Sequence, residues 1–292
     1  MATSTIEKHS HTLAAPGATI VYDVRRNDGG DRPTLMMIGS PMAAAGFASL
    51  AGNFDDRTVV TYDPRGSERS VRDDPTSPVD PDTHADDVSR VIEAVGSTPV
   101  DLFASSGGAV NALALLVRHP GQVRRLVAHE PPLVSLLPDH EAARAATRAV
   151  GDTYRQRGWG AAMAHFIAVS GHEGPFAPDF ADRPGPDPSS YGLPVEDDGS
   201  RDDPLLGQNI ITCTHYEPDL ESLRASSTEI FVAAGRESGE QLASRSARAL
   251  ATRLDVEPIM FPSDHGGFLG GEYGQTGDPG AFAKKLREIL DG

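Results

Sequence analysis

Two kinds of stretch alternate along the chain. Thr34 to Ile38 is a continuous apolar run, the mark of a strand buried on both faces. Arg57 to Tyr62, Pro99 to Phe103, Val123 to His129, Glu229 to Ala234 and Val256 to Phe261 read as further strands. Between them lie segments with helical character. Ala43 to Gly52 is rich in small residues, and Pro78 to Gly96 carries Val88, Val91, Ile92 and Val95 at helical spacing. Ala109 to His119, Gly239 to Arg253 and Asp278 to Leu290 read as helices too. At the start, residues 6–13 and 18–25 form a hairpin around Ala15-Pro16-Gly17, and Asn27-Asp28-Gly29-Gly30 is a turn. Strands alternating with helices imply an α/β fold, a mostly parallel sheet of eight strands flanked by helices with right-handed crossovers.

The alternation stops once, between Val123–His129 and Glu229–Ala234. Asp139 to Arg157 and Trp159 to Ser170 read as helices. His172 to Pro204, rich in Pro, Gly and Asp, reads as a long loop or partly disordered flap, and Leu205 to Arg224 as a return to helix. The interruption sits between two strands of one sheet. It is therefore expected to be a helical lid over 133–226, inserted in a core made of 1–132 and 227–292. Its apolar residues Leu136, Leu137, Trp159, Phe166 and Phe176 suit either a pocket wall or the packing of the lid itself.

Composition narrows the partners. Among 292 residues, 26 are Lys or Arg and 42 are Asp or Glu, a net charge of −16. Such a surface repels phosphate backbones, so no nucleic acid is expected as partner. No apolar run reaches membrane-spanning length, and Met1 to Ser10 lacks the apolar core of a signal peptide, so no membrane partner and a cytoplasmic location are expected. Cys213 is the sole cysteine, which excludes an internal disulfide. No His and carboxylate cluster has metal-ligand spacing, and no phosphate-loop pattern accompanies Gly107-Gly108, so neither a metal nor a cofactor is expected. A homodimer stays open.

The candidate chemistry centres on Ala104-Ser105-Ser106-Gly107-Gly108. A strand precedes it and a helix follows it, the context of a nucleophile elbow. Such a turn admits only small side chains two before and two after its serine. Ser106 satisfies this with Ala104 and Gly108, whereas Ser105 would put Phe103 in the tight position. Ligands of a parallel sheet sit off the carboxyl ends of its strands. Ser40, Ser106, Glu130, Glu237 and His265 all fall at such ends.

Gly39-Ser40-Pro41, Tyr62-Asp63-Pro64-Arg65-Gly66, the elbow and Asp264-His265-Gly266-Gly267 together resemble the α/β-hydrolase family, over nearly the whole chain. Ile38 and Ala104 depart from the family's usual His and Gly, and neither change removes a reacting group. The resemblance implies a cofactor-free serine hydrolase acting through an acyl-enzyme. Ser106 would be the nucleophile and His265 its base. The backbone N–H groups of Ser40 and Gly107 would form the oxyanion hole. Asp63 and Arg65 would shape their loop, and Asp264 would be structural.

Two glutamates compete to orient the histidine. Glu237 follows the strand that usually supplies the family's acid. Glu130 lies in His129-Glu130-Pro131-Pro132, which with the Ser-Ser-Gly elbow is similar to the zearalenone-type lactonases, and that likeness favours Glu130. The implied substrate is an uncharged carboxylic ester or lactone. Thioesterase, C–C bond hydrolase and cofactor-free haloperoxidase or perhydrolase chemistry need the same triad. A ligand-binding homologue without turnover is the alternative of another class.

Overall fold

The computed structural model describes residues 7–27, 29–75 and 77–292. Met1 to Ile6 of the expected polar N-terminus and first strand, and Asp28 of the expected turn, lie outside the described residues. The strands are β1 Lys8–Ala15, β2 Ala18–Arg25, β3 Leu35–Ile38, β4 Val59–Asp63, β5 Val71–Arg72, β6 Val100–Ser105, β7 Val123–His129, β8 Glu229–Gly235 and β9 Ile259–Phe261. The helices are α1 Ala48–Ala51, α2 Pro81–Val95, α3 Gly107–Arg118, α4 His140–Ser170, α5 Ile210–Thr212, α6 Leu220–Ala225, α7 Leu242–Leu254 and α8 Pro279–Asp291.

All eight expected strands form, in the order β1-β2-β4-β3-β6-β7-β8-β9. The first two pairings of that order are antiparallel and the rest parallel. The ninth strand, β5, is a two-residue pairing on β2. Two residues are too few for any periodicity to announce. The expected helix at Ala43 to Gly52 is a 3-10 turn, Ala44–Phe47, running into the single turn of α1.

The continuous apolar runs are explained by cover on both faces. In β3, Leu35 and Met37 point to a cluster with Phe47, Leu50, Phe282 and Leu286. Met36 and Ile38 point to the opposite cluster, with Val88, Val91, Val110 and Leu113. The strand period of two thus feeds both layers at once. Helix starts follow their caps. The Asp80 side chain accepts from the Thr83 N–H, so α2 begins at Pro81 and not at Pro78.

Residues between β7 and β8 build a third apolar cluster that includes Val134, Val150, Tyr154, Leu206 and Ile210. The two helices expected there meet at Gly158, whose φ of 79° and ψ of −172° break α4. The expected helix from Leu205 to Arg224 is divided. A π-helical turn, Leu205–Asn209, leads into the short α5, and the chain leaves helix before Pro218. Proline has no N–H to continue a helix. The Asp219 side chain then starts α6 by accepting from the Ser222 N–H.

Register sets the rim of the site. Ile38 pairs with Ala104, Ser105 with His129, His129 with Ala233, and Gly235 with Phe261. The carboxyl ends of β3, β6, β7, β8 and β9 therefore finish close to one level. Residues from 40 to 265 reach a common edge for that reason.

Candidate active site

Ser106 stands between β6 and α3 with φ 57° and ψ −127°. A serine in that region is strained, and surrounding structure must hold it there. Its N–H donates to the His129 carbonyl, and its own carbonyl receives the Ala109 N–H. The small neighbours are needed. A Cβ on Gly108 would lie 2.6 Å from the Ile38 oxygen, and one on Gly107 would lie 2.4 Å from the Ser40 oxygen. The strand-to-helix turn is thus pressed against the end of β3. Ser105 points the other way, buried, with its Oγ 3.1 Å from Nδ1 of His129.

The histidine comes from the loop after β9. His265 Nδ1 lies 2.5 Å from Oε2 of Glu130. Glu130 follows β7 with φ 49° and is fully buried. Its second oxygen, Oε1, accepts from the Gly235 N–H at 2.8 Å. Burial by itself would raise the carboxyl's pKa. The hydrogen bond and charge of His265 outweigh it and hold the group down to about 2. Loss of hydration lowers the pKa of His265, but the Glu130 carboxylate, with Asp264 assisting, leaves it raised overall. Each partner favours the charged form of the other.

Glu237 takes no part in this contact. It is exposed, and its N–H donates to the Ser263 carbonyl. Asp264 accepts the Gly266 N–H and so shapes the loop that carries His265. Asp63 accepts from the Ala44 N–H and from Arg69, while Arg65 makes two 2.6 Å bonds to Asp87. Both residues hold the loop after β4.

A residue of the His-Glu-Pro-Pro segment stands behind the pair. His129 is fully buried and stacks on His265, with ring centroids 5.9 Å apart at 28°. Burial drives its pKa down to about 4, so the ring is neutral at pH 7. It backs the exposed imidazole with an uncharged surface.

Two chambers meet at Ser106. The inner one, about 380 Å³, runs beneath the insert past Pro132, Thr147, Val169, Ile210 and Leu242. The outer one, about 760 Å³, opens past Met42, Trp159, Met163, Phe268 and Tyr273. Ser40, Ser106, Phe166, Leu205, His265 and Gln275 border both. Among the described residues the Ser106 hydroxyl forms no hydrogen bond to His265. The Gly107 N–H, in the first helical turn, has no acceptor within its helix, so it is free to face a ligand in the inner chamber. Cys213 also borders that chamber, and burial pushes its thiol up to about 12, far from reactivity.

Of the apolar residues weighed as pocket wall or internal packing, Phe166 borders both chambers and Trp159 the outer one. Leu137 and Phe176 pack inside the insert, and Leu136 packs against the main core. Sequence reasoning missed Asn209 and Gln275 altogether. Asn209 closes a π-helical turn and Gln275 lies in irregular chain, and no motif marks either. Among the described residues no cluster of His, Cys, Asp and Glu could hold a metal, and no helix is long and apolar enough to cross a membrane.

Comparison with known proteins gives a concordant result. A family model described as the alpha/beta hydrolase fold matches residues 35–168. The uncharacterized hydrolase YraK of Bacillus subtilis (strain 168) is 30% identical over 286 residues, which cover 96% of this chain and 95% of YraK. The crystal structure of the enol-lactonase from Burkholderia xenovorans LB400 aligns with a TM-score of 0.65 at 16% identity, over 97% of this chain and all of that one. Proline iminopeptidase from Mycobacterium smegmatis aligns at 0.62 and 21% identity, over 97% and 98% of the two chains. At these identities the two structural likenesses are likenesses of fold.

Proposed function

This chain belongs to the alpha/beta-hydrolase family, and on that footing we propose that it is a serine hydrolase of uncharged carboxylic esters or lactones. One observation carries the reading. The His265–Glu130 pair stands on the wall of the same cavity as a serine held in an elbow conformation.

In the proposed reaction the Ser106 oxygen attacks the substrate carbonyl while His265 Nε2 takes the hydroxyl proton. Glu130 holds Nδ1–H, fixing the tautomer and stabilising the imidazolium that forms. The tetrahedral oxyanion receives the N–H groups of Ser40 and Gly107. The intermediate collapses, the C–O bond breaks, and the imidazolium returns its proton to the departing alkoxide. Water, deprotonated by the same ring, then attacks the acyl-enzyme. Collapse of that second intermediate releases the acid and restores the Ser106 hydroxyl. In this reading Glu130 is the triad acid in preference to Glu237, and the 133–226 insert is the lid that keeps bulk water from the reacting carbonyl. The mostly apolar chamber walls and the negative surface suit a neutral substrate.

A fluorophosphonate probe tests the reading. It should label the protein once, on the peptide that contains Ser106, and Ser106→Ala should abolish labelling. A panel of p-nitrophenyl esters, lactones, thioesters and diketones should show highest kcat/KM on esters or lactones. Absence of labelling and of turnover would leave only a ligand-binding role.

A further inference from the structure

One polar contact joins the insert to the loop after β3. Nδ2 of Asn209 donates to Oγ of Ser40 at 2.9 Å, bridging 169 positions of sequence. Both residues are buried and both border the inner chamber. Asn209 closes the π-helical turn, an irregularity frequent at functional sites. A hydroxyl has one proton and two acceptor lone pairs. The Asn209 amide occupies a lone pair. Among the described residues no acceptor takes the Ser40 proton, so it remains available to a group in the cavity. A Cβ placed on Gly107 would lie 3.3 Å from the Cβ of Ser40, so the two residues meet at the same wall of the chamber.

We infer that the Ser40 hydroxyl is a third donor to the oxyanion, aimed by the Asn209 amide. The inference rests on the serine-hydrolase reading. A hydroxyl rotor left alone would have to be oriented during the reaction. A rotor already bonded on its oxygen by a buried amide costs less to align, which is what an effective oxyanion donor requires. Ser40 is then a catalytic residue through its side chain as well as its N–H. Asn209 is a positioning residue, supplied by the insert. Because the charge on the carbonyl oxygen develops only in the transition state, loss of this donor falls on kcat and not on KM.

A double-mutant cycle on a p-nitrophenyl ester tests this, with thermal unfolding as the check on folding. Ser40→Ala should lower kcat about a hundredfold with little change in KM. Asn209→Ala should lower kcat about tenfold, the worth of one hydrogen bond. The double variant should be no slower than Ser40→Ala alone. Ser40→Thr keeps a hydroxyl and should retain most of the activity. Asn209→Asp reverses the bond, because a carboxylate accepts the Ser40 proton. It should be at least as slow as Ser40→Ala, because the buried carboxylate also repels the developing oxyanion. Near-normal kcat in Ser40→Ala or Asn209→Asp, or full additivity of the two alanine variants, would overturn the inference while the fluorophosphonate label still supports Ser106 as nucleophile. A wild-type protein that takes no label and turns over no ester would overturn both.

Discussion

Oε2 of Glu130 lies 2.5 Å from Nδ1 of His265, although 135 positions separate the two residues. Glu237, at the end of the neighbouring strand, makes no such contact. The pair is buried on the carboxylate side and open on the imidazole side, where the ring is 42% exposed at the cavity.

Removing the charge of Glu130 should therefore be costly. Glu130→Gln keeps the shape but reverses the hydrogen bond to Nδ1, favouring the wrong tautomer. By the behaviour of serine triads kcat should fall about three to four orders of magnitude. Glu237→Gln should stay within about twofold of wild type, as exposed substitutions usually do. Parallel steady-state measurements on one ester decide the matter, and the opposite pattern would move the acid to Glu237.

The same pair sets a pH dependence. The proposed reaction needs neutral His265, whose pKa is raised above its ordinary 6.5. The ascending limb of kcat/KM should have its midpoint above that value, and Glu130→Gln should move the residual limb to lower pH. For stability the signs differ by partner. Glu130, lowered from 4.5 to about 2, contributes stability that is present above 4.5 and lost as pH falls toward 2. His265 contributes stability present below 6.5 and lost as pH rises through its raised value. The difference in unfolding midpoint between wild type and Glu130→Gln should thus be largest between pH 4.5 and 6.5. Urea titrations at pH 3, 5.5 and 9 would show it.

Gly108→Ala should destabilise although it lies in α3. Alanine ordinarily gains about 1 kcal/mol over glycine in a helix. Here its Cβ would stand 2.6 Å from the Ile38 oxygen and 2.7 Å from the Gly39 Cα, both backbone atoms. Overpacking of about 1–3 kcal/mol wins, read as a lower urea midpoint. An unchanged midpoint would mean that the elbow is looser against β3 than this geometry requires.

Asp87→Ala removes the partner of a buried cation. Arg65 bonds Asp87 through two nitrogens, and both side chains are almost wholly buried. Stranding the guanidinium should cost about 3–5 kcal/mol in denaturant unfolding. The Ser106 probe should still label whatever fraction stays folded, because this pair supports the loop after β4 and touches no reacting group.

Local order alone determined much of this protein. Runs such as Thr34–Ile38 can be satisfied only by cover on two faces, and the residues around Ser106 are small because a tight turn excludes larger ones. Those constraints act between near neighbours, so eight strands, the elbow and the strand-end positions of Ser40, Ser106, Glu130 and His265 could be read directly. Which glutamate stands against His265 could be favoured only through a family likeness, not from local order. Both follow parallel strands, and the choice depends on the turn at Glu130, where φ is 49°, and on the path of the loop after β9. The insert was opaque for a similar reason. Its helices are interrupted at Gly158 and before Pro218, and Asn209 matters through a hydroxyl 169 positions away. Contacts between distant segments are set by how the layers pack, and no pattern in either segment encodes the meeting.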